Sequence, residues 1–266
     1  MSGHVLVIGV DGTRFDALSA DATPAIWAAD VLTPITIDDA TPSWSGPCWA
    51  NIATGVPVAS HNITGNDLTG HRLEAYPDFL TVATRAGHST LLAVAGWPPL
   101  ATDEDGGPLF AEASRREFVE ASEDHGMAAW DVADETVTSL AISIIEADGP
   151  QASFVYLGAV DIAGHLIGAG ADYHAAVRAA DQRVGRLTAA VAARPDSADW
   201  TIVVVTDHGH LDEGGHGGRE PEVLTAWAAV SGPGASPVAS HLDIAPLVLR
   251  CLSLSQNGLW FRPRTS

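Results

Sequence analysis

Residues 206–218 read "TDHGHLDEGGHGG", three histidines, three acidic residues and five glycines in one short stretch. Imidazole nitrogens and carboxylate oxygens are the ligands that borderline divalent cations such as Zn2+ and Mn2+ take. A solvated acidic loop has the same composition, so the partners of this stretch must decide. Asp11 follows the apolar run "VLVIGV". Asp161 follows "FVYLGAV" and opens "DIAGH", which brings His165 within one turn. Asp207, with His208 beside it, follows "TIVVVT". One acidic residue at a strand end ordinarily caps the next helix. Three at the same edge of one sheet repel one another unless cations hold them together, and two cations suit three carboxylates better than one. Hydrolysis at such a site also needs a nucleophile. The candidate is Ser45 in "ATPSWSGPCWANIATG" (40–55), ahead of Gly46, Pro47 and a helix-compatible run. A hydroxyl and a proline there form an ordinary helix start. The same position places an oxygen where a helix N-terminus stabilises developing negative charge.

The elements that must position these residues are legible as hydrophobic patterns. "HVLVIGV" (4–10), "STLLAVA" (89–95), "ASFVYLGAV" (152–160) and "WTIVVVTD" (200–207) read as buried strands; "VLTPITI" (31–37) and "VLTAWAAVS" (223–231) are weaker. Helical periodicity runs through 131–147, 173–194 and 241–254. Strands alternating with helices predict an α/β fold, a mainly parallel central sheet with helices on both faces. Ligands of such sheets sit at the carboxyl ends of the strands.

The chain has 266 residues, a net charge of -20 and 13 basic residues, all arginine. That length fits one domain spanning 1–266, with the Gly/Asp/Glu/Pro-rich stretch from residue 97 marking a small cap insertion around 97–125. The acidic balance repels phosphate backbones and anionic bilayers, so neither nucleic acid nor a membrane is an expected partner. Cys48 and Cys251 make no disulfide framework or CxxC pair. The N-terminal run reads as a strand and not a signal peptide, and no apolar stretch is long enough to span a bilayer, so the expected location is cytoplasmic.

Taken in order along the chain, several motifs resemble those of the alkaline phosphatase superfamily, and most closely its type I phosphodiesterase/nucleotide pyrophosphatase branch. They are "VIGVDGTRFDAL" (7–18), "PSWSGP" (42–47), "TG" (54–55), "PVASHNI" (57–63), "DIAGH" (161–165), "TDHGH" (206–210) and the closing "HLDIAPLVLRCLSL" (241–254). The resemblance implies an alkaline phosphatase-like sandwich and a hydrolase of small phosphate esters with two divalent metal ions, Zn2+ first and Mn2+ second. It places Ser45 on the nucleophile, where the branch usually has threonine. One metal would be held by Asp161, His165 and His216, the other by Asp11, Asp207 and His208 with the Ser45 oxygen. Asn66 and the backbone amide after Ser45 would bind a phosphate oxygen. A phosphodiesterase or nucleotide pyrophosphatase is the leading expectation. A phosphomonoesterase or phosphonate hydrolase comes next, and a metal-stabilised binding module is the non-enzymatic alternative.

Departures from the family pattern are informative. Serine at position 45 also suits monoesterases of the superfamily. "SGPCW" resembles the sulfatase nucleophile element but ends in Trp49 instead of arginine, which argues against formylglycine formation. Seven residues separate His208 from His216 where diesterases of the branch carry a long insertion. The cap is therefore reduced, leaving the site open or closed by a second copy of the chain in a homo-oligomer. His210 is expected in the loop or just behind the ligands. Asp212 and Glu213 read as solvated or as orienting His216, and Arg14 and Arg72 as surface ion pairs. Trp44, Trp49 and Trp97 read as core or rim packing ahead of stacking on substrate. His61 braces its loop, and His4, His71, His88, His125, His174 and His241 read as structural.

Overall fold

The computed structural model describes residues 3–122, 124 and 126–254, so His125 lies outside the described residues. Among these, seven strands form one sheet: β1 (His4–Val10), β2 (Val31–Thr36), β3 (Thr90–Gly96), β4 (Arg115–Glu120), β5 (Ala152–Leu157), β6 (Trp200–Val205) and β7 (Thr225–Ser231). Their spatial order is β2-β7-β6-β1-β5-β3-β4. β1 pairs in parallel with both β5 and β6, and β3 with both β5 and β4; β7 runs antiparallel to β6 and to β2. The helices are α1 (Pro24–Trp27), α2 (Ser45–Thr54), α3 (Val58–His61), α4 (Phe79–Arg85), α5 (Gly126–Asp148), α6 (Ala159–Ile167), α7 (Ala171–Ala192), α8 (Pro221–Leu224) and α9 (Ile244–Cys251).

Alternate residues of β1 serve two cores. Val5 and Val7 pack with Ile52 of α2, Leu80 of α4 and Val248 of α9, whereas Leu6, Ile8 and Val10 pack with Val137 of α5 and Val184 of α7. Covered on both faces, the central strands carry near-continuous hydrophobic runs instead of alternating ones. Each fully buried Val, Leu or Ile contributes roughly 1.5–3 kcal/mol relative to exposure.

Several boundaries differ from the sequence reading, for local reasons. The strand read over 152–160 ends at Leu157, because the Asp134 carboxylate accepts hydrogen bonds from the backbone N–H groups of Gly158 (2.9 Å) and Ala159 (3.2 Å). That anchor starts α6, so Asp161 stands in a helix's first turn and not at a strand end. Ser45 is the first residue of α2 and Trp44 its N-cap, so the Ser45 hydroxyl is not spent on capping. Helix α5 begins at Gly126, five residues before the periodic segment. The edge strand β4, "RREFVE", has no apolar run to reveal it; charged residues there protect an exposed edge from further pairing. Residues 115–120 of the expected cap segment therefore belong to the sheet, while Leu100, Leu109 and Phe110 of the same segment join the core.

Candidate active site

The three acid-bearing strands β6, β1 and β5 are neighbours at the centre of the sheet, and all run in one direction. Their carboxyl ends therefore bring Asp11, Asp207 with His208, and α6 with Asp161 and His165 to one edge. The loop after β6 folds back through a turn in which Leu211 N–H donates to the Gly215 carbonyl (3.0 Å). Gly214 and Gly215 close that turn with positive φ (100° and 82°), a backbone region that L side chains avoid. The His216 ring consequently lies on the His208 ring, centroids 3.8 Å apart.

Two groups of ligand atoms converge there. In one, His208 Nε2 lies 3.1 Å from Asp207 Oδ2 and 3.7 Å from Asp11 Oδ1. In the other, Asp161 Oδ2 lies 3.4 Å from His165 Nε2, which is 3.1 Å from His216 Nε2. His210 Nε2 adds a bond of 2.8 Å to Asp161 Oδ1. The spacings suit bound cations: Asp11, Asp207 and His208 form one candidate group, and Asp161 forms others with His208 and His216 or with His165 and His210. His210, expected in the loop or just behind the ligands, is a buried loop residue whose ring bonds Asp161.

Ser45 faces this cluster, its hydroxyl 3.2 Å from His208 Nε2. The His208 Nδ1–H donates to the Gly209 carbonyl (3.2 Å), which leaves Nε2 as the lone-pair nitrogen. The Ser43 carbonyl, 2.8 Å from His216 Nδ1, sets the same tautomer there. Asp212 and Glu213 therefore do not orient His216; Asp212 pairs with Arg14 at 2.5 Å. Asn66 is exposed, and its Oδ1 accepts from the Gly46 N–H (2.9 Å). The amide after Ser45 is thus not a free oxyanion donor. It fixes the Asn66 side chain with Nδ2 left to donate.

Electrostatics sharpen the picture. Burial pushes the Asp11 carboxyl well above its usual range, and the charges of Asp207 and Asp161 push it further. Asp207 is raised by burial and then by Asp161. Burial opposes ionisation of Asp161 too, but the hydrogen bond from His210 and the surrounding imidazoles outweigh it and hold that group below the usual range. Burial, then repulsion from His216, holds His208 well below the ordinary imidazole value, so it is neutral at pH 7. Asp11 Oδ1 and Asp207 Oδ2 are buried without a hydrogen-bond partner among the described residues. Two orphaned carboxylate oxygens beside a neutral imidazole are the donor set a divalent cation satisfies.

A cavity of about 230 Å3 opens beside the cluster, lined among others by Ser45, Asn66, Trp97, Trp130, Tyr156 and His165. Trp97 thus lines the cavity as well as packing on the core, and Trp44 is 41% exposed and edge-on to His216. Trp49 is fully buried, yet its indole N–H reaches Asp11 Oδ2 (2.8 Å), as does the Tyr156 hydroxyl (2.6 Å). Neither contact was read from the sequence. The available signal was Tyr156 itself, a hydroxyl inside a buried strand that must find a partner. Among the histidines expected to be structural, His61 Nε2 bonds Asn51 Oδ1 (2.9 Å), His241 Nε2 meets the Thr206 carbonyl (3.1 Å), and His4 stacks on Trp200. Arg72 is exposed.

Known structures share this fold. A 2-O GAG sulfatase superposes with a TM-score of 0.73 at 14% identity, over 96% of this chain and 71% of the sulfatase. The phosphonate monoester hydrolase of Agrobacterium radiobacter gives 0.69 at 16% identity, over 95% of this chain and 74% of its own. Human ectonucleotide pyrophosphatase / phosphodiesterase 5 gives 0.68 at 14% identity, covering 95% of both chains. No curated protein matches the chain in sequence. These folds are those of the alkaline phosphatase superfamily, whose hydrolases depend on divalent metal ions. The family model of type I phosphodiesterase / nucleotide pyrophosphatase matches residues 5–232, so this chain, a phosphoric ester hydrolase, belongs to that family.

Proposed function

We propose that the protein hydrolyses small, nucleotide-like phosphodiesters through a covalent phosphoseryl intermediate on Ser45. The carrying observation is the Ser45 hydroxyl at the N-terminus of α2, beside the neutral Nε2 of His208 and in the wall of the cavity. Asp11, Asp207 and His208 would hold one divalent cation beside Ser45, and Asp161, His165 and His216 the other, with Zn2+ preferred over Mn2+ by the mixed nitrogen and oxygen donors. When bound, the cations supply the positive charge that favours a serine alkoxide and offsets charge on the transferring group.

The chain's own residues do the rest. Ser45 Oγ attacks phosphorus in line as the bond to the leaving oxygen breaks, and the leaving group departs with a proton. The phosphoryl group, still esterified to its other substituent, is then bonded to Ser45. Water attacks that phosphorus, the monoester product leaves, and Ser45 regains its proton. Asn66 Nδ2 donates to a non-bridging oxygen, and the amide dipoles of α2 favour the same negative charge. The aromatic walls of Trp97 and Trp130 suit a flat organic substituent.

Turnover of bis(nitrophenyl) phosphate, nitrophenyl phosphate, a phosphonate ester and a sulfate ester, each with Zn2+ and with Mn2+, tests the reading. The diester is expected to have the highest kcat/KM. A clear preference for the monoester or the sulfate ester would contradict it.

A further inference from the structure

The buried contacts of Asp11 point to a role for two residues outside the ligand set. Asp11 is 1% exposed, Trp49 0% and Tyr156 2%, so solvent does not compete for the bonds among them. Both donors, the Trp49 indole N–H and the Tyr156 hydroxyl, meet the same oxygen, Oδ2, at 2.8 and 2.6 Å. The other oxygen, Oδ1, has no hydrogen-bond partner among the described residues and faces His208 Nε2. A carboxylate tied twice through one oxygen cannot rotate to offer either oxygen at random. The donors arrive from different elements, Trp49 from α2, which also carries Ser45, and Tyr156 from β5, which leads to Asp161. The two rings hold each other edge-on at 5.5 Å. Gly9 in β1 makes room for the indole: a Cβ there would lie 2.5 Å from the Trp49 ring.

We propose that Trp49 and Tyr156 are positioning residues that clamp Asp11 Oδ2 and present Oδ1 alone to the cation shared with Asp207 and His208. The inference rests on the two-cation reading above. It gives a function to position 49, where the sulfatase element has arginine and this chain has a buried donor. It also ties the cavity wall to the cation, since Tyr156 belongs to both. Donors behind a metal ligand typically govern metal affinity by about 10–100-fold.

The test is chelator-competition titration of Zn2+ into the metal-free full-length protein, for wild type, Tyr156→Phe and Trp49→Phe, alongside thermal unfolding in EDTA. Wild type is expected to bind two ions. Tyr156→Phe, which removes only the hydroxyl, should weaken one of them about tenfold or more and leave the other unchanged. Trp49→Phe should weaken the same ion, and the double variant should weaken it further than either. Tyr156→Phe keeps the ring, so it serves as the decisive variant if Trp49→Phe fails to fold. Unchanged affinity for both ions in Tyr156→Phe would overturn the clamp while leaving the two-cation reading intact. A loss of thermal stability in EDTA without an affinity change would assign Tyr156 to packing and also overturn it. A wild-type protein that binds fewer than two ions would overturn both.

Discussion

The Ser45 hydroxyl is not consumed by its own helix: it is buried, outside the cap position, and meets the lone-pair nitrogen of His208. Ser45→Ala should therefore reduce kcat for the diester by on the order of a thousandfold or more while two Zn2+ ions still bind; an alanine variant with wild-type turnover would show that another group attacks. His210 is the second residue to test. Its Nε2–H holds Asp161 Oδ1 while Oδ2 faces His165. His210→Ala should weaken the cation near Asp161 about 10–100-fold, and His210→Gln, which keeps an N–H donor, should recover much of that affinity. Failure of glutamine to rescue, with loss of one ion, would make His210 a ligand instead. At this scale the sequence was legible wherever a residue type has few other uses. Asp11, Asp161, His165, Asp207, His208 and His216 lie together at one sheet edge. Trp49 and Tyr156 were not legible, because a buried aromatic ring has an ordinary packing role that hides its polar edge.

Among the elements, α6 depends on a device the sequence does not advertise. Asp134, in the middle of α5, is fully buried and holds the first amides of α6, the helix that carries Asp161 and His165. Burial raises its carboxyl to about 7, against the opposing charge of Arg183. A folded-state value above the unfolded one means the folded chain keeps a proton that the unfolded chain has released. Stability from this group is therefore full below about pH 4 and is lost as pH rises toward 7, by up to about 1.4 kcal/mol per unit. Asp134→Asn cannot titrate, so its cost in urea unfolding should shrink between pH 5 and pH 7; a cost that stays constant or grows would refute this account. The strands show the converse. β1, β5 and β6 were legible because burial on both faces demands mostly hydrophobic residues at successive positions, whereas β4 was not, since an edge strand needs charge more than apolar periodicity. The end of β5 differs from the sequence reading because its terminator, Asp134, lies 24 residues before Gly158 in the chain.

For the whole molecule, the central strands set the fold, and the proposed cations would offset the negative charge gathered at its edge. Three buried or half-buried aspartates at one sheet edge, in a chain of net charge -20, repel one another without positive charge between them. Removing metal with EDTA should lower the unfolding temperature, and re-adding Zn2+ should restore it, because a ligand at a hundred times its Kd stabilises by about 2.7 kcal/mol. An identical unfolding temperature with and without chelator would argue against bound cations. Among the described residues no helix is long and apolar enough to cross a membrane. The sheet and its helices were legible as a pattern. The cavity was not, because Trp97 and Trp130 reach it from segments that only the fold brings together. The most direct test of the central claim is mass spectrometry of enzyme acid-quenched during turnover of bis(nitrophenyl) phosphate. The account predicts a peptide containing Ser45 that carries one nitrophenyl phosphoryl group. Full turnover with Ser45 unmodified at every quench time, in an enzyme whose Ser45→Ala variant is equally active, would contradict it.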